Sequence, residues 1–129
     1  MEVEVKHAKG MQFVAKMRQH SVLMDIGREE GGFDEGPRPT EMLISCLGVC
    51  IGVYAGKYCQ KHGLPFEGMS VKLSWKREDS PTRLTDIVAK ISLPKPIPAD
   101  KMQAFLKQVE YCPVQNTLRS APVAKIEVG

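Results

Sequence analysis

The stretch Met42–Gly56 constrains this chain more than any other: fifteen residues without a charged side chain, apolar on nearly every helical face. A surface helix carries a polar stripe, and a helix that is apolar all round is a buried one. Pro39 suits the first helical position, where its missing N–H costs nothing. Glu41 in the first turn suits the positive end of the helix dipole. Polarity returns at Lys57, and Gly63 fits the position just past a helix end. A membrane span needs about 18 or more apolar residues, so the segment reads as a buried helix, and no membrane partner is expected. The chain of 129 residues has the size of one ordinary domain, here 1–129. A sheet would protect one face of the helix. Either the later helices cover the other face or a second copy does, and the burial argument favours the second copy, hence a homodimer.

Around this helix the hydropathy alternates. Val3 and Val5, then Met11, Phe13 and Ala15, then Val22 and Met24 predict three half-buried strands, with a turn at Lys9-Gly10. Residues 27–39 hold Gly31-Gly32, Gly36-Pro37 and Pro39 and predict a loop. Ser45, Gly48 and Gly52 would let a neighbour approach the long helix closely. Val71, Leu73 and Trp75 predict a strand, Asp79-Ser80-Pro81 a turn, and Ile87, Ala89, Ile91 and Leu93 the hairpin partner. After the stiff run Pro94–Pro98, Met102, Phe105, Leu106 and Val109 line one face of a helix over residues 99–111. Cys112-Pro113 breaks it and starts a short helix to about Arg119, and Val123, Ile126 and Val128 predict a last strand. The order β-β-β-α-β-β-α-α-β defines an α+β domain.

Composition narrows the function classes. Hydrophobic residues at 43% and charged residues at 26% describe a globular chain. The net charge of +3 is small, with Lys and Arg interleaved with Asp and Glu, so no nucleic-acid partner is expected. The first ten residues carry both signs of charge and no apolar core, which predicts no secretory signal and a cytoplasmic location. In that compartment four cysteines read as reduced, catalytic or metal-binding, not as a disulfide framework.

Cys46 and Cys50 lie four apart on one helix, with Cβ atoms about 5–6 Å apart, whereas a disulfide wants about 3.5–4.5 Å. A disulfide partner for either would come from elsewhere, and Cys112 is the natural candidate. Placed before Pro113, Cys112 can be an N-cap with Gln115 at the third helical position. Helix-end placement predicts a lowered thiol pKa; a purely structural cap is the alternative. Cys46 reads as a small buried hydrophobe, and Cys59, near the polar end of the helix, as partly exposed. A metal site built on Cys46, Cys50, Cys112 and a histidine is a rival reading. The chain lacks C-x-x-C and paired histidines, and His7, His20 and His62 are scattered, so no metal and no cofactor are expected.

The motif Gly36-Pro-Arg-Pro-Thr-Glu-Met-Leu, followed by Leu47-Gly48-Val49-Cys50 and by Cys112-Pro113-Val114, resembles the OsmC/Ohr family of osmotically inducible protein C and organic hydroperoxide resistance proteins. That resemblance implies an intertwined homodimer with two long central helices packed against sheets, and active sites at the subunit interface. It implies a thiol-dependent peroxidase acting on organic hydroperoxides. Cys50 would attack the peroxide to give a sulfenic acid, Cys112 would resolve it as a disulfide, and a lipoyl-linked or thioredoxin-like dithiol would reduce the enzyme. It also implies an arginine held by a glutamate beside the attacking thiol, since a mid-helix thiol in apolar surroundings needs a cation to ionise. Glu41 sits at the matching helix start, while Thr40 stands where some members have a glutamate. Glu41 lies about 13.5 Å along the helix from Cys50 and on the opposite face, so it would serve Cys50 only across a dimer. Arg18, Arg28 and Arg38 are the candidate arginines, with Arg28 ranked first. A redox-inactive protein of the same fold, binding an apolar ligand at the dimer interface, is the alternative function.

Overall fold

The computed structural model describes residues 1–129. Its chain divides into two compact units, Met1–Ile44 and Ser45–Gly129, and the long helix α1 (Pro39–Lys61) runs across the division.

In the first unit β1 (Glu4–His7), β2 (Phe13–Met17) and β3 (His20–Met24) form an antiparallel sheet in the order β1-β2-β3. Val5 stands opposite Ala15, and Ala15 opposite Val22, so the three alternating patterns meet on one face. An apolar cavity of about 300 Å³ lies on the same unit, walled by Val5, Met11, Phe13, Ala15 and Met24 among others. The turn at Lys9-Gly10 is closed by the Gln12 N–H donating to the Lys9 carbonyl at 2.8 Å, with Gly10 at φ +54°. Met11 falls in that turn, so β2 begins at Phe13, two residues later than the alternation suggests.

The loop after β3 is organised by Asp25, which is 1% exposed. Its Oδ1 accepts from the Ile26 N–H at 2.8 Å, and its Oδ2 from Gln12 Nε2 at 3.0 Å and from the Phe33 and Glu35 N–H groups at 3.2 Å each. Burial pushes the Asp25 carboxyl up, but these four bonds outweigh it and hold it below the usual carboxylate range. A carboxylate lowered by folding contributes stability above its unfolded pKa and loses it as pH falls through the folded value. Asp25→Asn turns an amide N–H₂ toward backbone donors. Thermal unfolding should show a lower midpoint for this variant at neutral pH, with the gap to the parent closing as the pH falls below the carboxylate range.

In the second unit α1 continues to Lys61, and β4 (Ser70–Glu78) and β5 (Arg83–Ser92) form a hairpin. A 3-10 turn over Ala99–Lys101 leads into α2 (Met102–Val109), followed by α3 (Pro113–Arg119). Leu47, Ile51, Ala55, Tyr58 and Cys59 of α1 pack with Ile97, Phe105, Val109 and Cys112 as the core. The Tyr58 and Phe105 rings meet edge to face at 5.5 Å, and burying one such side chain stabilises by about 1.5–3 kcal/mol. Gly48 admits the hairpin: a Cβ there would lie 2.5 Å from Leu73 Cδ1. By length and composition α1 could span a membrane; here its inward face builds this core.

Within one chain Leu43, Val49 and Val53 of α1 are 44%, 67% and 49% exposed, so the alternative that the later helices cover that side does not hold. One expectation is corrected. The last strand does not form. Residues 121–129 have no regular structure, and Val123, Ile126 and Val128 are each at least 88% exposed, since this tail has no strand partner within the chain. The rest of the order, β-β-β-α-β-β-α-α, stands as read.

Candidate active site: a buried thiol pair

In the second unit the middle of α1 and the start of α3 bring two cysteines together. Cys50 is half-buried on α1 and packs against the core cluster that holds Cys112, close enough for its thiol to help push the Cys112 thiol up. Cys112 is fully enclosed at 0% exposure. As its placement before Pro113 predicted, Cys112 is the N-cap of α3: its Sγ accepts the Gln115 N–H at 3.4 Å.

The pKa expectation for Cys112 is reversed. Burial pushes this thiol up and the Cys50 neighbour adds to the rise, while the Gln115 and Val114 N–H groups pull it down without cancelling. Desolvation of an enclosed thiol therefore wins over helix-end chemistry. The two remaining cysteines exchange the environments expected of them. Cys46 is exposed, and Cys59 is 0% exposed with its thiol pushed up by burial. An unreactive structural thiol is thus found at Cys59. No group of three or more His, Cys, Asp or Glu side chains is arranged to hold a metal ion.

The arginines belong to the first unit. Arg18, at φ +54°, lies between β2 and β3 at the hairpin tip. Arg38 carries a carboxylate cluster: its Nη2 meets Glu29 Oε1 at 2.8 Å, its Nε meets Glu30 Oε1 at 3.1 Å, and its Nη1 stands 4.0 Å from Glu41 Oε1. The Glu30 hydrogen bond leads the causes that raise the Arg38 pKa. Glu41 Oε1 also accepts the Arg38 backbone N–H at 2.8 Å, the reach-back half of a capping box at the start of α1. Glu41 is therefore paired with Arg38 and not with Arg28. Arg28 opens the 3-10 turn Arg28–Glu30, forms no ion pair, and lines an open cavity of about 450 Å³ with Lys9, Gly32, Phe33 and Glu35. The Asp25 hub and the triple clamp on Arg38 went unread in the sequence; only the Arg38-to-Glu41 spacing, that of a capping box, was a usable signal.

The second unit also opens an apolar groove of about 470 Å³, lined by Ile51 next to Cys50 in the chain and by Gln115, which caps onto Cys112, but by neither cysteine. Leu47 and Ile51 of α1, Ile87, Ala89 and Ile91 of β5, and Leu106 of α2 line it, with Glu110 and Arg119 at its polar edge.

The OsmC-like protein family model matches residues 32–127, and the chain belongs to that family. Solved structures share the fold. One, provisionally described as an osmotic stress induced and detoxification response protein from Psychrobacter arcticus, is 17% identical with a TM-score of 0.81 over 89% of this chain and 85% of its own. An OsmC like protein from Mycoplasma pneumoniae is 17% identical with a TM-score of 0.78 over 93% and 87%. An organic hydroperoxide resistance protein OsmC from Legionella pneumophila is 14% identical with a TM-score of 0.64 over 92% and 90%. None of the curated proteins compared with the chain matches it.

Proposed function

We propose that this protein is a thiol-dependent peroxidase that reduces organic hydroperoxides in the cytoplasm. The observation that carries the reading is the placement of the half-buried Cys50 against the core cluster that encloses Cys112, near enough to perturb its thiol. Cys50, the more accessible of the pair, attacks the peroxide as a thiolate and becomes a sulfenic acid. Cys112 then closes the disulfide, which a dithiol such as a lipoyl group or a thioredoxin-like protein reduces. Family membership and the hydroperoxide-resistance description of the Legionella protein support this chemistry. The apolar groove suits the organic part of the substrate. Steady-state assays with an alkyl hydroperoxide and a dithiol test the reading: the parent protein should turn over, and Cys112→Ser should stop after one equivalent. Bound apolar ligand without any peroxide consumption would support the binding-protein alternative instead.

The working unit in this reading is a homodimer. The uncovered apolar side of α1 and the exposed apolar tail are the surfaces a second copy would bury. The positive charge for the Cys50 thiolate is assigned to Arg28 of the partner subunit, because its guanidinium carries no carboxylate. Glu41 and Arg38 are positioning residues: Arg38 ties Glu29 and Glu30, and with them the turn that carries Arg28, to the start of α1. A neighbouring cation lowers an acid's pKa by about 1–3 units. Arg28→Gln should therefore slow Cys50 oxidation about tenfold or more at neutral pH, with an unchanged thermal midpoint. Arg38→Gln should lower that midpoint only modestly, since its partners are largely solvated. Slow oxidation in Arg38→Gln alone would transfer the role to Arg38.

A further inference from the structure

Two polar side chains of the first unit are buried and have no part in the thiol chemistry: Gln12 at 3% exposure and Asp25 at 1%. We propose that they are positioning residues, and that the Gln12–Asp25 pair fixes the loop from which Arg28 reaches the Cys50 thiolate across the dimer. This rests on the assignment of Arg28 in the peroxidase reading above.

The pair closes the loop at both ends. Gln12 Nε2 donates to Asp25 Oδ2 at 3.0 Å and to Glu35 Oε1 at 2.6 Å, so one amide just ahead of β2 ties residues 25 and 35 together. Lys9 Nζ holds the same Glu35 oxygen at 3.1 Å. Asp25 itself accepts from Ile26 at the near end and from Phe33 and Glu35 at the far end. Between these ends a second set of bonds locks the backbone around Arg28. The Glu30 and Gly32 N–H groups donate to the Gly27 carbonyl at 3.0 Å each, and the Gly31 N–H donates to the Arg28 carbonyl at 3.1 Å. Gly32 lies so close to the hub that a Cβ there would stand 2.7 Å from Asp25 Oδ1. Glu29 and Glu30, the carboxylates next in sequence, are both taken by Arg38. Arg28 is thus an unpaired guanidinium on a fastened loop.

A polar hub is a demanding way to hold a loop. A carboxylate taken out of water loses hydration that an apolar cluster would not need to replace. What directed bonds supply instead is orientation. The pull of a cation on a thiolate falls with distance, so Arg28 acts on Cys50 only while its base is held in register. Charge placed in advance also needs no rearrangement at the moment of attack. The sign of the effect separates a clamp from a field. As a charge alone, the Asp25 carboxylate would disfavour the Cys50 thiolate, and its removal would make that thiol more acidic. As a clamp, its removal displaces Arg28 and makes the thiol less acidic.

Alkylation by iodoacetamide across a range of pH, resolved by peptide, reads the acidity of Cys50 in the reduced protein. It is to be measured for the parent, Arg28→Gln, Asp25→Asn, Gln12→Met and the double variant Gln12→Met with Arg28→Gln. Gln12→Met alters no charge, is close in size and leaves Asp25 its three backbone bonds, so it reports even where Asp25→Asn fails to fold. The expected result is a Cys50 pKa higher by about 1 unit or more in Arg28→Gln. Gln12→Met and Asp25→Asn should each show about half of that rise or more, and the double variant no more than Arg28→Gln alone, since with no guanidinium there is nothing left to misplace. A parent-like Cys50 in Gln12→Met, whatever its thermal midpoint, or a rise that adds in full to that of Arg28→Gln, would overturn the clamp. A parent-like Cys50 in Arg28→Gln would overturn the arginine assignment and the clamp with it. A parent protein whose Cys50 is acidic but does not react with tert-butyl hydroperoxide would overturn the peroxidase reading and leave the clamp in place.

Discussion

Cys50→Ser should abolish peroxide consumption, with turnover falling about 1000-fold or more, as expected when the single nucleophile of a covalent mechanism is removed. A serine hydroxyl is neither ionised nor soft enough to attack a peroxide at neutral pH. The substitution is close to isosteric at a half-buried site, so folding should survive. The prediction is specific to position. Cys46→Ser, one turn away on the same helix and exposed, and Cys59→Ser, outside the thiol pair, should both retain activity. Parent-like turnover in Cys50→Ser would remove the thiol pair from the chemistry.

The second large effect is expected at Val49→Asp. Val49 is 67% exposed, in one apolar stripe with Leu43 and Val53. In an isolated chain a surface change of this kind costs within about 0.5 kcal/mol. In a two-fold dimer built on this face each interface would bury two unpaired carboxylates, one per copy, at several kcal/mol each. Sedimentation at micromolar concentration should show the parent at twice the chain mass and Val49→Asp at the chain mass, still folded by circular dichroism. Because the positive charge is assigned to the partner subunit, the monomer should also lose most peroxidase activity. A parent already at the chain mass would refute the dimer, and with it the sharing of charge between copies.

The legible parts of this protein are those set by short stretches of chain. Pro39 marked the first residue of α1, and Cys112-Pro113 marked the break before α3, because both rest on the backbone rules of one dipeptide. The cap bond from Gln115 followed from the same spacing. The three-stranded sheet followed from alternation, with Val5, Ala15 and Val22 brought to one face. What failed needed a neighbour to decide it. An all-round apolar helix has no polar stripe to set its rotation, so the sequence could not tell that Cys59 turns inward and Cys46 outward. Alternation over Val123, Ile126 and Val128 expresses a capacity to pair, and within one chain the tail finds no strand. The direction of the Cys112 shift depended on how completely the core encloses it, and the carboxylates around Arg38 on how the loop folds.

The central claim is that Cys50 and Cys112 form one redox couple. Reduced protein should be treated with one equivalent of an organic hydroperoxide, its free thiols blocked, and its peptides mapped by mass spectrometry. The account predicts one disulfide linking the peptide that holds Cys50 to the peptide that holds Cys112, removed by a dithiol, with Cys46 and Cys59 alkylated as free thiols. Recovery of Cys50 and Cys112 as free thiols, or a disulfide joining any other pair, would contradict it.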